Sequence, residues 1–125
     1  MNADFVPFEL AVKLNEKGFD IPCYGYYHCN GGNDSFELCG NGDRDFLNSK
    51  NQYSVAAPTI SQVLKWLRDE KKLHLEISFW STTETWSCKV VKITNLPDGE
   101  WNVHKCKSYE DAAIKAIEHL LKYWI

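Results

Sequence analysis

Apolar positions along the chain switch between two periods, and the switch points outline its elements. Ile60, Val63, Leu64 and Leu67 recur at helical spacing behind Thr59, which with Gln62 reads as a capping box opening a helix. Leu73, Leu75, Ile77 and Phe79 then alternate with His74, Glu76, Ser78 and Trp80, the period of a half-buried strand. STTE turns the chain, TWSCKVVKI predicts a returning strand, and after a type I turn at Pro97, Asp98 and Gly99, WNVHKC predicts a third. A last helix follows. Ser108 and Asp111 form its capping box, Glu110 and Asp111 suit the positive end of its dipole, and Ala113, Ala116, Ile117, Leu120 and Trp124 share one face.

The first half is less regular. A helix is expected over residues 7 to 17, with Pro7 in its first turn, Gly18 as the left-handed residue that stops it and Phe19 folding back on Leu14. FDIPCYGYYH, residues 19 to 28, is aromatic and apolar enough for a strand, and Pro22 and Gly25 predict an edge position or an irregular start. Residues 30 to 54 are rich in Gly, Asn and Asp and read as a long connection, either a functional loop or a hairpin, with a short FELC strand inside it. The fold class these elements define is α+β, an antiparallel sheet of three to four strands packed by two to three helices. Its C-terminal half runs helix, strand, strand, strand, helix. At 125 residues a single domain is expected.

Composition narrows the function classes. A formal net charge of −3 argues against a surface that attracts phosphate everywhere, because nonspecific nucleic-acid affinity is mainly cation–phosphate electrostatics. No apolar run approaches the roughly 18 residues of a membrane-spanning helix, and the opening MNADFVPFELAVKLNEKG has no basic start, apolar run and cleavage site, so a cytoplasmic protein with no membrane partner is expected. Five cysteines on such a chain are expected to be reduced.

Helix 59–72 carries Lys65, Arg68, Lys71 and Lys72 and runs into a strand, which raises the question of a recognition helix followed by a wing. A winged helix-turn-helix needs another helix a few residues earlier, and NQYSVAAP has no helical periodicity. The order from residue 58 onward resembles the double-stranded RNA-binding domain. The final helix, however, begins with Tyr109, Glu110 and Asp111 where that family has phosphate-contacting lysines, so the resemblance is one of topology only. Over nearly its whole length, through FELAVKLNEKGFDIPC, YGYY, APTISQVLKWLRDEKKLHLEI and SYEDAAIKAIEHLLK, the chain resembles a group of small proteins of unknown function encoded in Bacteroidetes genomes and their phages. The resemblance implies a phage or mobile-element origin and a cytosolic setting.

Candidate chemistry is sparse. Cys23, His28, Cys29 and Cys39 have zinc-ligand side chains without the paired short knuckles of a zinc ribbon or finger, so incidental thiols are expected and no cofactor is. Cys88 or Cys106 with His104 or His74 would be a nucleophile pair lacking any motif for an oxyanion hole or an orienting third group. Asn41, Asp43 and Asp45 imitate the start of a calcium loop, but Phe46 replaces its glycine and Gln52 its closing glutamate. No catalytic motif is recognised, and the expectation is a binding protein.

Its candidate partner surface is Trp80, Trp86 and Trp101, expected on strands whose second face the helices leave open, the alternative being that the N-terminal helix or the long loop covers them. A protein partner is expected first. Nucleic acid is the alternative, with bases stacking on the sheet aromatics beside Lys65, Arg68, Lys71 and Lys72; these four read first as a solvated helix face broken by Asp69 and Glu70.

Overall fold

A computed structural model describes residues 4–40, 43–93 and 101–125; the expected turn at Pro97 to Gly99 lies outside them, as does Asn41. The fold is α+β, with three α-helices and two three-stranded antiparallel sheets among the described residues. It divides into two compact units, Met1–Ser61 and Gln62–Ile125. Two small sheets thus stand where sequence periodicity predicts one of three to four strands.

In the first unit, helix α1 (Phe8–Glu16) follows Pro7, whose ring presets its own φ at −69° and whose missing N–H costs nothing at a helix start. Its first backbone N–H, on Phe8, is capped from far along the chain by Asn33 Oδ1 at 2.7 Å. Gly18, at φ +89°, ends the helix, and the Phe19 N–H bonds back to the Leu14 carbonyl at 3.0 Å. The sheet has the order β2-β1-β3, with β1 Gly25–His28, β2 Phe36–Leu38 and β3 Ser54–Ala57. Strand β1 is therefore central and not an edge. Pro22 is tolerated because it precedes the strand, which begins irregularly with a lone bridge from Cys23 to Phe46.

Gly25 is needed where it is. A Cβ there would lie 2.8 Å from the Phe36 ring on the neighbouring strand. The opposite choice of side chain serves Tyr27, fully buried between the Phe8 and Phe36 rings, with its hydroxyl donating to the Val6 carbonyl at 2.6 Å. The long connection is partly a hairpin arm, since β2 is the predicted FELC strand, and partly a loop pinned by buried Asn48. Asn48 Nδ2 donates to the Phe19 carbonyl at 2.8 Å and its Oδ1 accepts from Ala56 N–H at 2.9 Å.

The second unit holds the order α2, β4, β5, β6, α3, with α2 Ile60–Glu70 starting at the unit boundary. The buried stripe of α2 is Ile60, Val63, Trp66 and Leu67; Leu64 is only half-buried, so the apolar arc lies one position round from the predicted one. Lys72, at φ +57°, turns the chain into β4 (Leu73–Trp80), which pairs with β5 (Thr85–Lys92), which pairs with β6 (Trp101–Cys106). Helix α3 (Tyr109–Tyr123) packs against all three strands. Its N-cap Ser108 accepts the Asp111 N–H at 3.0 Å, while the Asp111 carboxylate reaches past the cap to Lys107 N–H at 3.1 Å. Ala113, Ala116, Ile117 and Leu120 are buried as expected, joined by Ala112 and Leu121, whereas Trp124 is the half-buried C-cap. No helix among the described residues is long and apolar enough to cross a membrane.

Candidate functional site

Strand register decides which aromatic side chains share a face. Phe79 lies opposite Trp86 and Val90 opposite Trp101, so Trp86 and Trp101 are on the side that α3 covers. Trp86 meets Tyr109 of α3 edge-on at 5.8 Å, and Trp101 stacks on His119 of α3 at 4.3 Å. Trp80 is opposite Thr85, on the other side. The three tryptophans therefore do not form one open surface: two line the helix-packed face, and only Trp80 projects from the open one.

What is exposed instead is the end of β4. Phe79 retains 51% of its surface and Trp80 53%, pointing to opposite faces at consecutive positions. The alternation of β4 thus buries Leu73 and Leu75, half-buries Ile77 and fails at Phe79, because the helix-covered side ends there. Trp80 is held in place. Its Nε1 donates to Ser87 Oγ at 2.7 Å, and with Thr83, Thr85, His104 and Lys105 it lines a shallow recess of about 260 Å³.

The basic residues of α2 and of the turn that follows it are solvated. Lys65, Arg68, Lys71 and Lys72 are all exposed; Lys65 bonds Asp69 Oδ2 at 2.7 Å, Lys72 Nζ donates to the Asp69 carbonyl at 3.0 Å, and Lys71 lies over the Trp66 ring. The Lys65 ammonium is the first cause of a lowered Asp69 pKa.

The thiol candidates scatter. Cys88 and Cys106 face the helix-packed interior, whereas His74 belongs to the opposite face of β4 and His104 to the open face of β6. Burial pushes the Cys88 thiol up to about 12 and raises that of Cys106, which keeps both protonated at neutral pH. In the first unit Cys23 is buried, Cys29 exposed and Cys39 half-exposed, with the Cys39 thiol donating to the Cys23 carbonyl. No group of three or more His, Cys, Asp or Glu side chains suited to a metal ion occurs among the described residues. Asp43 and Asp45 are exposed, and Phe46 is buried against Tyr26, with rings stacked at 4.8 Å.

Register also assembles one cluster that no local motif announces. Tyr26 pairs with Glu37 and His28 with Ser54 across the first sheet, which puts all four on one face. Glu37 accepts the Tyr26 hydroxyl at 2.7 Å and lies 3.2 Å from His28 Nε2, while Ser54 Oγ is 3.4 Å from His28 Nδ1. The Tyr26 hydrogen bond, then that of His28, lowers the Glu37 pKa. A neutral His28 with its proton on Nε2, toward Glu37, would present the Nδ1 lone pair to Ser54. Both His28 and Glu37 keep about half of their side-chain surface in water, and the Ser54 contact is long, so this is a solvated network beside a recess of about 470 Å³ and not a desolvated nucleophile.

Fold and site together define a small α+β protein with an aromatic-tipped edge strand. Comparison with protein-family models, with curated proteins and with solved structures finds no match for the chain.

Proposed function

We infer that this chain is a small protein-binding module that engages its partner through the end of β4. The observation that carries the reading is the pair of half-exposed aromatics, Phe79 and Trp80, at consecutive positions of an edge strand, with the Trp80 indole already fixed by Ser87. An ordered, partly wet indole is a low-entropy anchor, and burying it on a partner supplies the kind of contact that dominates protein interfaces. The resemblance to phage- and mobile-element-encoded proteins supports a partner met inside the host cell. Nucleic acid is the weaker reading, because Asp69 engages Lys65 and Lys72 on the basic side of α2 and the chain is acidic overall.

A photo-cross-linking phenylalanine analogue at position 80, introduced in the native host, tests this directly. The expected product is a defined polypeptide adduct, and Trp80→Ala should then weaken binding of that purified partner by at least about 2 kcal/mol, roughly 30-fold. Adducts to nucleic acid alone, or none, would contradict the reading.

A further inference from the structure

The two edges of the second sheet are built differently. On β6 the pairing slips between Trp86 and Cys88 of β5, whose partners are Cys106 and Val103, so β6 carries an extra residue, with Lys105 at φ +59°. A bulge and a lysine are the usual devices that stop a sheet edge from recruiting another strand. Strand β4 has none of them: its eight residues, LHLEISFW, contain no Lys, Pro or Gly, and all pair in unbroken register with β5. The sheet of the first unit ends in strands of three and four residues, too short to be good templates.

The direction of the unused backbone groups follows from one bond. Ile93 N–H donates to the Lys72 carbonyl at 2.8 Å, which makes Lys72 and Ile93 a hydrogen-bonded pair continuing the β4–β5 register. Parity then turns the N–H and C=O groups of Leu73, Leu75, Ile77 and Phe79 away from β5, along the outer edge. On these grounds we propose that β4 pairs antiparallel with β4 of a second copy of this chain, joining two three-stranded sheets into one of six. The inference rests on the protein-binding reading of β4 and names its partner.

Self-complementarity selects both occupant and register. With the two-fold axis at Ile77, that residue meets its own copy, Leu75 meets Phe79 and His74 meets Trp80, so both exposed aromatics gain apolar or aromatic neighbours on their own faces. The alternatives are worse. An axis at Glu76 sets two carboxylates directly opposite each other, one at Leu75 leaves Phe79 and Trp80 facing Lys71 and Glu70, and one at Ser78 shortens the ladder and puts Glu76 against Trp80. The same strand that has no bulge, Lys or Pro, and whose one charge, Glu76, then lies opposite Ser78, therefore pairs well with itself in one register.

Light scattering on the purified full chain, with dilution, tests the proposal. The expected mass is twice that of the chain, and Ile77→Lys, which places a charge on the axis, should weaken dimerisation at least tenfold. Phe79→Glu, at a half-exposed site that does not threaten folding, should do the same, while Tyr53→Lys in the first unit changes nothing. A chain that stays monomeric at millimolar concentration overturns the proposal, as does a dimer indifferent to both β4 variants. A monomer that still cross-links another polypeptide through position 80 would sink the second copy as partner and leave the protein-binding reading standing; absence of any polypeptide adduct at 80 would sink that reading itself.

Discussion

Asn48 offers the sharpest test of how the first unit is held together. The residue is 6% exposed, and its side chain bonds two backbone groups that have been brought together from distant positions, the Phe19 carbonyl and the Ala56 N–H. In Asn48→Ala both lose their partner in a buried setting. An orphaned buried polar group costs about 1–3 kcal/mol, so two of them cost about 2–5 kcal/mol after partial relief by water. At about 4 °C per kcal/mol for a chain of this length, Tm should fall by roughly 8–20 °C. Asn48→Asp separates the two bonds: the acceptor for Ala56 survives, while a carboxylate oxygen is pushed against the Phe19 carbonyl, and the loss should shrink in acid, where the protonated carboxyl donates again. Far-UV circular dichroism is the appropriate probe, because all five tryptophans, the first of them Trp66, follow Ser61 and report the other unit. Asn51→Ala is the control, since its bond to the Leu47 carbonyl is exposed and should matter by less than about 1 kcal/mol. A change below about 0.5 kcal/mol for Asn48→Ala would refute the clamp.

Leu67→Ala, at a fully buried site on α2, should cost about 2–5 kcal/mol in urea denaturation; an unchanged midpoint would remove Leu67 from the core. Changing Lys65, Arg68 and Lys72 together to Ala should move Tm by no more than about 2 °C and leave duplex DNA or RNA binding weak, and a submicromolar affinity lost in that variant would favour the nucleic-acid reading. Mild alkylation of native protein should modify exposed Cys29 first and spare Cys23 and Cys88 until unfolding, because burial pushes both thiols up to about 12; equal rates at all cysteines by mass spectrometry would contradict this. The same raised values predict a falling stability on the alkaline side: thiols in the unfolded chain ionise from pH 9 while those of the folded chain resist to about 12, so the contribution, complete below 9, is lost across that window, and a flat profile there would count against it.

The second unit was largely legible in the sequence because its elements are long enough to show a period. Strand β6 and α3 are bounded by their own residues, WNVHKC and the Ser108 cap, and the β4–β5 alternation needs only a short turn to become a hairpin. Strand β3 was not legible. Its SVAA is four residues, three of them buried, and a strand buried on both faces does not alternate. The sequence marks Trp80, Trp86 and Trp101 as aromatic strand residues, but their faces depend on the β4–β5 register and on the bulge in β6, and neither leaves a mark in composition. Helical spacing located the buried side of α2 to within one position, and the large Trp66 ring, not Leu64, filled it. The Tyr26, His28, Glu37 and Ser54 cluster is invisible for the same reason as the tryptophan faces: it exists only through pairing between strands distant in sequence.

Residue-resolved amide exchange, run at several protein concentrations, bears most directly on the claim that the outer edge of β4 is a strand-binding surface. The N–H groups of Leu75, Ile77 and Phe79 point away from β5, so in the isolated chain they exchange faster than those of His74, Glu76 and Ser78. The account predicts that raising the concentration protects Leu75, Ile77 and Phe79 selectively, with Ile77→Lys abolishing the effect. Exchange at these three positions that does not respond to concentration, or protection confined to other elements, would contradict it.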